Sequence, residues 1–431
     1  MERVPLMDKI EKSLYLTQRE HKEVFSQDDP RTNFVHDRDR IIHSKAFRRL
    51  MHKTQIFNAN KGDHFRNRLT HTLEVAQIAR SIGRRMNLNE DLIEAIALGH
   101  DLGHTPFGHI GERKLGELMH EGLKGVFDGS QFSFKHNFQS VRVVEYIENK
   151  CDDFPGINLT LAVREGMIKH TKLQTKDSNG VKYDVEYEKS ALNTTGFRMD
   201  LPHSITLEGQ VVAIADEIAQ LTHDIEDGIR GNIISFDNFA SCELVKNYLN
   251  TAQHSNDINP NCAPLSYNQR SQIIKGLVGY LISDVAKASE SKLEAYEKKH
   301  GIPSFDSELS VYEENCVGFS EKVKLQADDL AKKRDNWIIF SKEISQADSK
   351  AEYFITQIFK AYYKHPKELP DYILARYYGE KDADGFDRTI ISVEELQRDP
   401  KFIRFICDHI AGMSDQFAAR EYMNLYIPNY H

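Results

Sequence analysis

Three histidines and two carboxylates fall within 13 residues of the segment Gly99-His100-Asp101-Leu102-Gly103-His104-Thr105-Pro106-Phe107-Gly108-His109-Ile110-Gly111-Glu112. An imidazole beside a carboxylate, followed by small residues that admit a ligand, suits a divalent metal. A polar loop with helix-capping duties would use the same residue types. Two further residues favour the metal. Asp216 lies in the apolar run from Val211 to Gln220, where a buried carboxylate costs several kcal/mol unless a cation or hydrogen bonds compensate. A metal is one such cation and a buried arginine is another. His71 stands beside an apolar helical stripe, where a histidine is either a satisfied core residue or a ligand. His109 and Glu112 are three apart, so on a helix they share a face and the carboxylate can orient the imidazole.

The elements that must hold these residues read as helices. Leu69, Leu73 and Ala76 form one apolar stripe, and Leu92, Ile93, Ile96 and Ala97 another, the second stopping at Gly103 with Pro106 close behind. Helical stretches are also predicted near 37–53, 108–121, 137–149, 158–170 and 206–229, with long scaffold helices over 265–300 and 319–364. Only one stretch reads as strand: Val181, Tyr183, Val185 and Tyr187 alternate with polar residues after Asn179-Gly180. The fold class expected is therefore all-α, with a small β-hairpin excursion in 171–204. The Asn-, Ser-, Asp- and Pro-bearing stretch Asn250 to Pro264 reads as a loop or subdomain boundary. Three regions are expected: an N-terminal helical segment (1–60) with a basic substrate-facing helix, a catalytic core (61–235), and a helical C-terminal region (236–431) packed on it.

The whole chain narrows the function classes. Its 431 residues are 40% hydrophobic and 28% charged, which excludes collagenous and wholly disordered readings. A net charge of −9 argues against a general nucleic-acid coat or a membrane-surface protein. Segment 31–53 nevertheless carries seven Arg and Lys against two Asp, room for a local site for a phosphorylated ligand. The five cysteines form no CxxC pair, so neither a disulfide framework nor a zinc-thiolate site is expected, and a cytoplasmic location is. No 18-residue apolar run is present to span a bilayer. Phosphate-loop and GxGxxG fingerprints are missing too. Of 19 histidines, ten fall between His36 and His136.

Together His71, His100, Asp101 and Asp216 resemble the H…HD…D signature of the HD-domain phosphohydrolases. The match tightens to the deoxyguanosine-triphosphate triphosphohydrolase (dGTPase) family through Asp37-Arg-Asp-Arg-Ile-Ile-His43-Ser-Lys-Ala-Phe-Arg-Arg-Leu50, Lys53-Thr-Gln55 and the His100–Glu112 segment. His136-Asn-Phe-Gln-Ser-Val-Arg142, His223-Asp-Ile-Glu-Asp227 and Asp408-His-Ile-Ala-Gly-Met-Ser-Asp415 extend it along nearly the whole chain.

The resemblance implies a helical enzyme that cleaves deoxynucleoside triphosphates (dNTPs) between the 5′ oxygen and the α-phosphorus, releasing deoxynucleoside and inorganic triphosphate. It implies that His71, His100, Asp101 and Asp216 hold a divalent metal, manganese first, with Mg, Co, Ni, Fe or Zn as alternatives. By the same resemblance His109 and Glu112 are the catalytic pair, and His104 is an active-site histidine on the phosphate chain. Arg68, Lys169 and His136 match substrate-side positions, and Gln55 and Asp224 match positions near the sugar 3′-hydroxyl. A homo-oligomer (tetramer or hexamer), a dNTP activator and single-stranded DNA are the partners the family suggests. One position departs from the pattern. Where many relatives carry a tyrosine four residues after the metal aspartate, placed to stack under the deoxyribose, this chain has Gln220. The competing readings are an HD phosphohydrolase acting on another nucleotide, and a nucleotide-sensing or DNA-binding protein whose hydrolysis is secondary.

Overall fold

Short polar side chains start most of the helices by taking up the free amides of the first turn. Thr32, Ser44, Asn67, Asn89 and Thr206 each accept a backbone N–H two or three residues on. At Asn67 the exchange is reciprocal, because the Thr70 hydroxyl accepts the Asn67 N–H in return. The computed structural model describes residues 6–428 apart from 27, 58–64, 124–133, 150–151, 174, 177–181, 184–191, 252–266 and 380–383.

The principal helices, numbered in chain order, are α1 (Asn33–Ile42), α2 (Arg68–Arg85), α3 (Glu90–Gly99), α4 (His109–Leu123), α5 (His136–Arg142) and α6 (Leu161–Lys169). They continue with α7 (Leu207–Arg230), α8 (Tyr267–His300), α9 (Glu321–Arg334), α10 (Lys342–Lys364), α11 (Pro400–Ala411) and α12 (Asp415–Tyr426). The all-α expectation holds. The only strands among the described residues are Thr175–Lys176 and Lys182–Tyr183, paired antiparallel. The proposed turn Asn179-Gly180, with Val181, Val185 and Tyr187, lies outside the described residues, as does nearly all of the 250–264 stretch.

Helix α3 is the centre of the first core. Leu92, Ile93, Ala95, Ile96, Ala97 and Leu98 are all buried, and α3 contacts α1, α2, α6 and α7. At roughly 25 cal/mol per Å² of apolar surface removed from water, such a helix is held by packing rather than by intrinsic propensity. This core runs from Ile10 to Ile344 in sequence. A second one joins α10, α11 and α12 to Leu115, Leu118 and Met119 on α4. Helix α4 thus has its apolar face in the second core.

Several expectations are corrected. The 37–53 stretch is not one helix: α1 ends at His43, and Ser44 caps a separate turn (Lys45–Arg49) whose first amides also bond the Glu148 carboxylate. Leu73 is 51% exposed, and the buried face of α2 is instead Val75, Ala76, Ile78, Ala79 and Ile82. The charged side chains of α1 are engaged within the protein. Arg38 pairs with Asp91 and Glu94, Arg40 with Glu23, and Asp37 on the same helix with Arg19, so these charges tie α1 to the scaffold. No helix among the described residues is long and apolar enough to cross a membrane.

Gly103 marks the closest backbone approach near the chemistry. A Cβ there would lie 2.1 Å from Ser140 N and 2.6 Å from His136 O, and backbone cannot yield as a flexible side chain would. Gly103→Ala should therefore lower the thermal unfolding midpoint, whereas Gly279→Ala, exposed in α8 with nothing within 4 Å of its Cβ, should stabilise by about 0.5–1 kcal/mol.

A second prediction concerns pH. Buried Glu208 accepts the Asn89 N–H at 3.1 Å, and burial pushes its carboxyl up to about 7. A carboxyl raised in the folded state favours folding while protonated, and that contribution is lost as pH climbs from about 4.5 to about 7. Glu208→Gln should raise the midpoint at pH 8 and change it little at pH 4.5, as followed by thermal denaturation.

Candidate active site

Where α3 ends, His100 and Asp101 enter a tight turn locked onto α5. The Ser140 hydroxyl donates to His100 O at 2.6 Å and accepts the Gly103 N–H at 2.9 Å. His100 Nδ1 lies 2.6 Å from Ala97 O, which makes it the protonated nitrogen. Nε2 is buried and without a hydrogen-bond partner. It faces Asp101 Oδ1 at 3.6 Å and Asp216 Oδ1 at 4.0 Å. His71, delivered by α2, places Nε2 3.0 Å from Asp216 Oδ1.

All four residues are buried. Burial alone would raise both carboxyls, but His100 and Arg68 hold Asp101 well below the usual carboxylate range, and the His71 hydrogen bond and charge do so for Asp216. Two imidazoles, two ionised carboxylates and a bare Nε2 aimed between them form a donor set that fits a divalent cation. His170 joins the same cluster, its donor atom within 4.8 Å of those of His100 and Asp216.

A second group of side chains adjoins this one. Glu112 Oε2 lies 2.7 Å from His136 Nδ1 and 3.7 Å from His109 Nδ1, and His136 Nε2 lies 3.2 Å from His170 Nε2. His170 Nδ1 bonds Met167 O at 2.7 Å, so its Nε2 is an acceptor. Burial would raise the Glu112 carboxyl, yet His136 and His109 hold it well below the usual range. Burial beside His100 depresses His170 to about 3, and burial beside Arg68 pushes His104 well below its ordinary value. The His104 ring stacks on His136 with centroids 4.4 Å apart. His109 differs from the rest: its side chain is 72% exposed.

The turn joining these two groups is strained and tied from both ends of the chain. Phe107 and Gly108 take consecutive left-handed conformations, φ 63° and 67°, and Thr105 Oγ1 closes the turn onto Gly108 O at 2.8 Å. Asp415, at the start of α12, accepts both Phe107 N–H (2.8 Å) and Thr54 N–H (2.9 Å). Buried Lys53 donates to His104 O and to Ala411 O, and desolvation lowers its ammonium to about 7.

Residues 68–221 match the HD domain family and residues 317–424 the phosphohydrolase-associated domain. The deoxyguanosinetriphosphate triphosphohydrolase-like protein of Geobacter sulfurreducens is 37% identical over 432 residues, covering 99% of this chain and 97% of the relative. Its namesake in Rickettsia prowazekii is 35% identical over 93% of each chain. That of Nitrosomonas europaea is 35% identical over 92% of this chain and 91% of its own. The chain belongs to the deoxyguanosinetriphosphate triphosphohydrolase-like family. It is accordingly an HD-domain phosphohydrolase, and His71, His100, Asp101 and Asp216 all fall inside the matched HD region.

The remaining residues suggested by the family resemblance are placed as follows. Arg68 is buried on α2, its Nη1 2.6 Å from Asp101 Oδ2, with Nε and Nη2 lacking an acceptor. The Gln55 backbone lies against Gly108, and its Oε1 is buried and unpartnered. Asp224 stands two turns beyond Asp216 on α7, 3.4 Å from Arg334; burial, offset by that arginine, raises its carboxyl to about 7. Lys169 is a correction. Its ammonium is fully buried, 2.6 Å from Glu165 Oε1 and 2.6 Å from Arg198 O, so it is committed to the scaffold rather than offered to phosphate.

Three residues of the assembly escaped sequence reasoning: His170, Lys53 and Asp415. His170 ended the predicted 158–170 helix, while Lys53 and Asp415 stood in segments that carry the family resemblance without a role of their own. Lys169→Met would strand the Glu165 carboxylate in the core. It should cost roughly 3–5 kcal/mol in urea unfolding, and Lys169→Met with Glu165→Gln should recover much of that.

Proposed function

We propose that the protein hydrolyses deoxynucleoside triphosphates to deoxynucleoside and inorganic triphosphate, with a divalent cation held by His71, His100, Asp101 and Asp216. The observation that carries this reading is the juxtaposition of three things. A buried two-imidazole, two-carboxylate set lies beside an arginine with two unpartnered donors, and next to it stands an exposed histidine backed by a buried carboxylate. When bound there, a divalent ion supplies Lewis acidity toward a phosphate oxygen and offsets its charge.

The chain's own residues do the rest. Arg68 Nε and Nη2 take phosphate oxygens as the acceptors they lack, while Nη1 keeps Asp101 in place. Gly108 leaves the Arg68 guanidinium open on its loop side, since a Cβ there would sit 3.3 Å from Nη2. His104, kept neutral by burial beside Arg68, adds no competing charge and can face the phosphate chain as a hydrogen-bonding group. In the reaction, water attacks the α-phosphorus, the bond from phosphorus to the 5′ oxygen breaks, and that oxygen leaves with a proton from His109, which the proton released by the attacking water replaces. Glu112 orients the His109 ring, while His136 and His170 hold Glu112 in position. Gln55 and Asp224 are assigned to the sugar, Asp224 at a pKa near neutrality that lets it either donate to or accept from a hydroxyl.

Each of the four dNTPs is to be incubated with the Mn²⁺-loaded protein and the phosphate product identified by ion chromatography. Inorganic triphosphate is expected, and pyrophosphate or orthophosphate as the primary product would sink the reading. His71→Ala and Asp216→Ala should abolish turnover. His109→Ala should lower kcat by about 10²–10⁴-fold with metal binding intact.

A further inference from the structure

Three of the four proposed ligands have their outward-facing polar atoms committed to protein partners. His100 Nδ1 is bonded to Ala97 O, Asp101 Oδ2 accepts from Arg68 Nη1, and Asp216 Oδ2 accepts from Gln220 Nε2 at 2.8 Å. The inward atoms His100 Nε2, Asp101 Oδ1 and Asp216 Oδ1 face each other, and the one protein hydrogen bond given for Asp216 Oδ1 comes from the fourth proposed ligand, His71 Nε2, at 3.0 Å. Gln220 lies one turn beyond Asp216 on α7, the spacing at which two side chains on a helix meet. An ionised carboxylate only accepts hydrogen bonds, so the amide must turn its N–H toward Asp216 and its oxygen away.

We propose that Gln220 is a positioning residue for the cation site. By holding Oδ2 it fixes the Asp216 rotamer and presents Oδ1 alone, so that Asp216 ligates through one oxygen. Arg68 does the same for Asp101, but with a full charge that also addresses the phosphate chain. Gln220 does it as a neutral group and leaves the charge of the site unchanged. Fixing a ligand's free rotors before the ion arrives removes an ordering cost from binding, and partners of this kind typically contribute 10–100-fold in metal affinity. The position at which many relatives place an aromatic ring for the sugar is thus used here for the ligand aspartate. This inference rests on the assignment of the four cation ligands made above.

The test titrates Mn²⁺ alone into metal-stripped full-length protein and follows the free-ion signal by electron paramagnetic resonance. No nucleotide is present, so the readout is independent of turnover. Gln220→Met and Gln220→Leu remove the donor while keeping helix-forming side chains of similar size. Both should bind Mn²⁺ about tenfold or more weakly with wild-type circular dichroism, and Asp216→Ala should bind it more weakly still. Wild-type affinity in both Gln220 variants, with Asp216→Ala impaired, overturns the positioning role and leaves the four-ligand assignment standing. Wild-type affinity in Asp216→Ala overturns that assignment itself.

Discussion

Everything at the centre of this molecule follows from carrying three carboxylates, Asp101, Glu112 and Asp216, into a helical interior. An ionised carboxylate away from water is stable only beside positive charge and hydrogen-bond donors. His71 and Arg68 on α2, His100 at the end of α3, His109 on α4 and His136 on α5 supply these. The need to converge so many donors on one volume explains why the site lies where α2, the end of α3, the start of α4, α5, α6 and α7 come together. No single element could bring enough partners.

Helix α4 shows how the site is joined to the rest of the chain. Its first turn carries His109 and Glu112, while Leu115, Leu118 and Met119 belong to the second core with α10, α11 and α12. Rigidity of the histidine pair therefore depends on packing by helices that contribute no proposed ligand or catalytic group. Residues 317–424, matched as a phosphohydrolase-associated domain, contribute the second core and also the Asp415 carboxylate that holds the turn before His109.

Much of this was legible in the sequence, for physical reasons. A carboxylate in an apolar run (Asp216) and an imidazole beside a carboxylate at a helix end (His100-Asp101) are costly patterns that stand out against their surroundings. The helices followed from their periodicity, with bounds off by a few residues where capping chemistry intervened, as at Ser44. Pairing over long sequence distances was not legible. Glu165 is one helical turn from Lys169 and could be read as its partner, but nothing near Lys169 announces the Arg198 carbonyl, and nothing near Arg38 points to Asp91 and Glu94. Leu73 misled because an apolar side chain at roughly helical spacing can still sit at the edge of a face. His170, Lys53 and Asp415 were missed because their roles come from contacts made only after the chain has folded.

The ties on the turn before His109 have a consequence for the order in which the protein is made. Phe107 is anchored by Asp415, 308 positions later, and Lys53 reaches forward to Ala411, 358 positions away. Domains generally begin to fold from the N-terminal side as the chain emerges from the ribosome. The first core can form early from the α2, α3, α6 and α7 segments, but the two left-handed residues ahead of His109 have no Asp415 to hold them until that residue has been added. Assembly of the site thus waits until synthesis has reached Asp415, and a chain terminated before that residue would carry the ligand residues without the carboxylate that holds the turn.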